Sequence, residues 1–141
     1  MSKLRLDHPA ITVKDLKRSI EFYRDILGFE VLGKMVQRNG TFTIVYLQAG
    51  DARIELFHFT EKGRDLDPTV TDQDLGFKHL GFRVDDVDAV AAELKAKGVE
   101  FTVEPKNSSS GGNVRLAFFK DPDGNLLELI SGEPNLEPLD L

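Results

Sequence analysis

One nine-residue pattern occurs twice in this chain, and it limits the possible folds more than any other feature. "HPAITVKDL", from His8 to Leu16, and "HLGFRVDDV", from His79 to Val87, share the form H-x-x-Φ-x-V-x-D-Φ, where Φ is apolar. Laid over one another at an offset of 71 residues, His8 meets His79, Ile11 meets Phe82, Val13 meets Val84 and Asp15 meets Asp86. Later in each half, "RIELF" and "LLELI" align at an offset of 73, which pairs Glu55 with Glu128. The chain therefore reads as two copies of one unit.

Each copy has the same order of elements. Ile11 and Val13 alternate with Ala10 and Thr12, the period of a half-buried strand. Asp15 is placed to cap a helix whose Leu16, Ile20, Tyr23 and Leu27 share one face, and Gly28 ends it. "TFTIVYLQAG" and "DARIELFHF" follow as two strands joined by a turn at Gly50 and Asp51. In the second copy Asp86 caps a helix with Val87, Val90, Ala91 and Leu94 on one side, and Gly98 closes it. A hairpin then crosses the "DPDG" turn, where Pro122 and Gly124 supply the backbone angles. The expected architecture is α+β: one domain, 1–141, made of two βαβββ modules, about 5–59 and 77–131. The modules would form a curled mixed sheet with helices on its convex side. The polar segment 60–76 reads as their linker, "EPKNSSSGGN" (104–113) as a mobile loop, and the tail "SGEPNLEPLDL", from Ser131 on, as loosely packed or crossing to a partner.

Composition excludes several classes of function. With 141 residues, 40% hydrophobic and 30% charged, the chain suits one globular domain. A net charge of -6 and a pI near 5.0 offer no basic stripe for nucleic acid or an anionic membrane. The absence of cysteine removes disulfides, thiolate nucleophiles and zinc–thiolate sites. No signal-peptide core or membrane-spanning apolar run is present, so the expected location is the cytoplasm.

Taken singly, His79 is best read as a partly buried histidine bonded to a carbonyl, and each glutamate as an ordinary strand charge. Their recurrence in equivalent places argues otherwise. Side chains two apart on a strand share a face. By that parity His8, Glu55, His79 and Glu128 all project away from the aliphatic residues that meet the helices. Two imidazoles and two carboxylates on one side make an N/O donor set for a divalent ion. Nickel, zinc, cobalt, manganese and ferrous iron all suit it. Arg83 shares the parity of His79 and is a candidate contact for an anionic substrate group, and Arg115 is a second candidate substrate contact. Phe57 and Phe59 share the Glu55 face and are candidate pocket walls, whereas His58 has the opposite parity and reads as structural.

These residues resemble the vicinal oxygen chelate superfamily, the group of glyoxalases, bleomycin-resistance proteins and extradiol dioxygenases. "HPAITVKDLKRSIEFYRDILGFEV" is similar to its opening unit and "FKDPDGNLLELI" to its closing hairpin, and the resemblance covers about residues 5 to 131. Within that group the metal positions fall on His8, Glu55, His79 and Glu128, a set similar to that of bacterial glyoxalase I-like proteins. The resemblance implies a metal-dependent lyase or isomerase working through an enediolate-type intermediate, with Glu128 as base and Glu55 as its counterpart. It also implies a homodimer acting on a small oxygenated molecule. Glutathione-using relatives carry arginine where Thr12 stands and asparagine where Phe59 stands, so the resemblance gives glutathione no support. The other readings are an iron-dependent extradiol-type dioxygenase and a non-enzymatic small-ligand binding protein of the same fold.

Overall fold

The computed structural model describes residues 3 to 140; residues 1, 2 and 141, the ends of the expected 1–141 span, lie outside the described residues. The chain divides into two compact units, one ending at Asp65 and the next beginning at Leu66. That division falls inside the segment read as a linker.

The first unit runs β1 (Ala10–Thr12), α1 (Leu16–Ile20), a π-helical segment (Glu21–Ile26), β2 (Glu30–Gln37), β3 (Phe42–Ala49) and β4 (Ala52–Phe59). Its strands lie in the order β1-β4-β3-β2, with β1 parallel to β4 and the rest antiparallel. The second unit runs β5 (Leu80–Arg83), α2 (Val87–Ala96), β6 (Phe101–Asn107), β7 (Arg115–Lys120) and β8 (Leu126–Ser131). Its order, β5-β8-β7-β6, and its strand directions repeat the first. Two four-stranded mixed sheets, each with an α-helix after its first strand, are the tandem βαβββ arrangement, in the α+β class.

Matching residues start the two helices in the same way. Asp15 Oδ1 accepts from the Arg18 N–H and Asp86 Oδ1 from the Ala89 N–H, both at 3.0 Å. Between start and stop the halves differ: Asp15 and Gly28 are thirteen residues apart, Asp86 and Gly98 only twelve. The extra residue explains why α1 does not stay α-helical to Leu27, as the periodicity predicts. It widens instead into the π-helical segment, where the Leu27 N–H bonds the Phe22 carbonyl five residues back at 3.0 Å. Adjacent Phe22 and Tyr23 both turn inward there, edge to face at 5.1 Å.

The aliphatic face of each sheet is the core. Leu47, Ile54, Leu56, Phe119, Leu127 and Leu129 are all buried. In the second unit α2 packs over β6, β7 and β8, with Val87, Ala91 and Leu94 facing in.

Two expectations for the second half need correction. The first residues of the 104–113 segment are not loop, because β6 continues through Lys106 and Asn107 to pair with Leu116 and Arg115. The start of the tail is not loose either. The Glu133 N–H donates to Asn113 Oδ1 at 2.8 Å, and Gly112 lies so close to Glu133 and Pro134 that a Cβ would meet the Glu133 carbonyl at 2.2 Å.

Candidate metal centre

Each unit brings one histidine to one glutamate. His8 stands two residues before β1, and the Pro9 carbonyl accepts the Glu55 N–H at 3.1 Å, which ties the approach to β1 onto β4. Register then sets Ala10 beside Glu55, and His8 Nε2 contacts Glu55 Oε2 directly. The other ring nitrogen, Nδ1, lies 2.6 Å from Asp7 Oδ2. A carboxylate on Nδ1 fixes the imidazole's orientation and leaves Nε2 as the working atom, the arrangement that commonly supports a metal-binding histidine. The hydrogen bond to His8 holds the Asp7 carboxyl below the usual aspartate range.

In the second unit His79 immediately precedes β5, and its Nε2 lies 3.5 Å from Glu128 Oε1. Its ring stands edge-on to Phe118, with centroids 5.2 Å apart at 82°. Glu55 and Glu128 are only 6% and 8% exposed. Burial pushes the Glu128 carboxyl above its ordinary range, with the nearby His79 pulling the other way.

A glycine absent from the sequence reading helps make this pair. Gly81 lies beside Glu128 in the parallel register, and a Cβ on it would come within 3.1 Å of Glu128 Oε1. Its place in the repeated pattern, two residues after the histidine, was the available signal. The first unit has Ala10 there.

A cavity of about 300 Å³ opens beside His79, lined by Asp72, Lys78, Thr102, Val103, Phe118 and Leu126. A register shift in β6 builds part of its wall. Phe101 opposes Phe119 on the core side, but Val103 opposes Phe118 on the side of Glu128. The first sheet carries the corresponding shift, Val31 opposing Leu47 and Gly33 opposing Tyr46.

The candidate substrate contacts separate. Phe57 and Phe59 do share the Glu55 face, where both pack on Phe42 at 5.1 and 4.3 Å. Arg83 shares the face of Glu128, but its guanidinium donates to the Gly132 carbonyl at 2.9 Å and lies 3.6 Å from Glu133. Arg115 is not brought to His79 and Glu128. It has the parity of Phe119, on the helix side, where Asp88 of α2 takes both its Nε and its Nη2.

This ion pair predicts a pH dependence of stability. The hydrogen bonds from Arg115 hold the Asp88 carboxyl below the ordinary aspartate range. Its contribution is thus present above the ordinary aspartate range and is lost as pH falls through the lowered value. Asp88→Asn is expected to melt below the wild type at pH 7, with the difference closing as pH drops below about 4 in thermal melts. A difference independent of pH would remove the pair as its cause.

Among the described residues, no group of three or more His, Cys, Asp or Glu side chains stands together as a metal cluster. Each pair by itself offers two donors. Their chemistry nevertheless fits a divalent ion: two buried carboxylates and two imidazoles, one already oriented by a carboxylate behind it.

Comparison with known proteins gives the family. The model of the Glyoxalase/Bleomycin resistance protein/Dioxygenase superfamily matches residues 5–129. The chain belongs to this superfamily. A probable lactoylglutathione lyase from Vibrio parahaemolyticus is 34% identical over 139 residues, covering 94% of each chain. The lactoylglutathione lyase of Schizosaccharomyces pombe is 31% identical over 93% of this chain, which spans 48% of that longer protein. Among solved structures, a glyoxalase family protein from Enterococcus faecalis superposes with a TM-score of 0.77 at 28% identity, covering 90% of this chain and 97% of its own. Glyoxalase I from Zea mays gives 0.74 at 32% identity, covering 89% of this chain and 44% of its own. In this glyoxalase-superfamily chain, no helix among the described residues is long and apolar enough to cross a membrane.

Proposed function

We propose that the protein is a divalent-metal-dependent lyase of glyoxalase I type, with His8, Glu55, His79 and Glu128 as the metal ligands. The observation that carries this reading is the repetition of one imidazole–carboxylate pair in both units, each carboxylate buried. An unpaired buried carboxylate is costly, and a cation between donors of this kind would offset the cost. Nickel, zinc, cobalt, manganese or ferrous iron suits the donor set. When bound, the ion would polarise adjacent oxygens of a substrate.

The residues would then share the work. His8, oriented by Asp7, and Glu55, in direct contact with it, are the fixed pair. Glu128, held at 3.5 Å from His79 and with a raised proton affinity, takes the proton beside a carbonyl and passes it toward the neighbouring carbon. The relatives' name, lactoylglutathione lyase, supports a thiol adduct as the substrate, and an enediolate-type intermediate belongs to this reading. Phe118, Val103 and Leu126 give that substrate an apolar resting place beside His79.

The reading includes one domain of two modules, a cytosolic setting and a homodimer. Leu75 and Phe77, fully exposed on the connecting segment, are apolar surface that a second copy would cover.

The test is metal content and turnover in the same samples. Metal-free protein is expected to be inactive on methylglyoxal with a panel of thiols, and to isomerise one adduct after loading with about one ion per chain. No stoichiometric metal under any loading condition would refute the proposal. Oxygen uptake with a catechol, without thioester formation, would replace it with the dioxygenase reading.

A further inference from the structure

Gly81 has no backbone reason to be glycine. Ten of the twelve glycines hold a positive φ, and the exceptions are Gly81 and Gly63. Gly63 has open space around it. Gly81 lies in β5, at the edge of its sheet, where glycine costs chain entropy and gives no side chain to pack. It is exposed, so no packed core demands the missing side chain. Among the described residues, the one atom that a Cβ would meet within 4 Å is Glu128 Oε1, at 3.1 Å.

The first unit supplies the comparison. Ala10 holds the same register against Glu55 that Gly81 holds against Glu128. The surroundings match: the His8 and His79 side chains are 38% and 39% exposed, and both carboxylates are buried. The geometry differs. Where the neighbouring strand carries a Cβ, the carboxylate lies in direct contact with its histidine; where it carries none, the carboxylate stands off at 3.5 Å. A separation of 3.1 Å is inside ordinary van der Waals contact, so Glu128 could not keep its present place beside an alanine.

We propose that Gly81 is a positioning residue for Glu128: by withholding a side chain, it leaves the carboxylate room to stand clear of His79. This inference rests on the proposed role of Glu128 as ligand and base, and it adds the reason why two pairs of the same composition work differently. The pair beside Ala10 is closed and holds; the pair beside Gly81 is open and can take up a proton.

The experiment joins crystal structures of the metal-free protein to kinetics of the metal-loaded protein. It uses wild type, Gly81→Ala, Glu128→Asp and the double variant. Gly81→Ala is expected to melt no lower than wild type, because alanine suits a strand interior better than glycine. Its Glu128 carboxylate should leave its present place and close on His79, as Glu55 does on His8. Its kcat should fall about tenfold to a hundredfold with KM and bound metal unchanged, the scale for a reacting group displaced by up to about 1 Å. Aspartate is too short to meet the added Cβ. Adding Gly81→Ala to Glu128→Asp should therefore cost less than about twofold, a sign that the two positions act through one contact. An unmoved Glu128 in Gly81→Ala, an unchanged kcat, or an equal loss in the Glu128→Asp background would overturn the assignment. If wild type turns over no thiol adduct, the proposed reaction fails, and the crystallographic shift of Glu128 alone decides the role of Gly81.

Discussion

Glu128→Gln is expected to lower kcat by about a hundredfold to a thousandfold, the range spanned by removal of a positioned general base. Glutamine keeps the size of the side chain and its place beside Gly81, so the loss would report chemistry rather than packing. The structure separates the two glutamates. Glu55 is engaged directly by His8, whereas Glu128 stands 3.5 Å from His79, and burial raises the affinity of the Glu128 carboxyl for a proton. Glu55→Gln should accordingly act mainly through metal retention. Measuring kcat and bound metal together decides the matter. If Glu128→Gln keeps kcat at full metal occupancy while Glu55→Gln loses it, the base is Glu55.

Phe119→Ala is expected to cost about 3 to 5 kcal/mol, because truncating a fully buried aromatic leaves a cavity that its surroundings only partly fill. Phe119 has no exposed surface, packs on Phe101 at 5.3 Å and opposes Leu127 in the middle of the core face. Domains of this size have about 5 to 15 kcal/mol in total, so the variant should lose a large share of its stability. Its neighbour gives the control. Phe118 points the other way, against His79, so Phe118→Ala should lose less stability and more activity. Urea unfolding of both variants is the measurement, and equal losses would mean that the two faces are not divided into core and site.

The repeat made much of this legible in the sequence. Asp15 and Asp86 are the caps the pattern predicts, and the strand parity of Glu55 and Glu128 turns them from the aliphatic core. What the sequence hid is what periodicity cannot encode. The shifts at Val31–Gly33 and Phe101–Val103 change which face a residue meets without changing the apolar pattern, so the wall formed by Val103 was not visible. Arg115 lies on the helix side of β7, and its partner Asp88 comes from a different element, which the local pattern of one strand does not encode.

The widened turns after Ile20 have a consequence for how such halves diverge. One unit places its closing glycine thirteen residues after the cap and the other twelve after it, yet both sheets keep the same strand order and a register shift early in the strand that follows the helix. An inserted residue has been absorbed within the helix and not transmitted to the strands that carry the donors. Single-residue insertions and deletions there are therefore cheap routes of variation: they change which side chains line the helix while the order of the strands stays put.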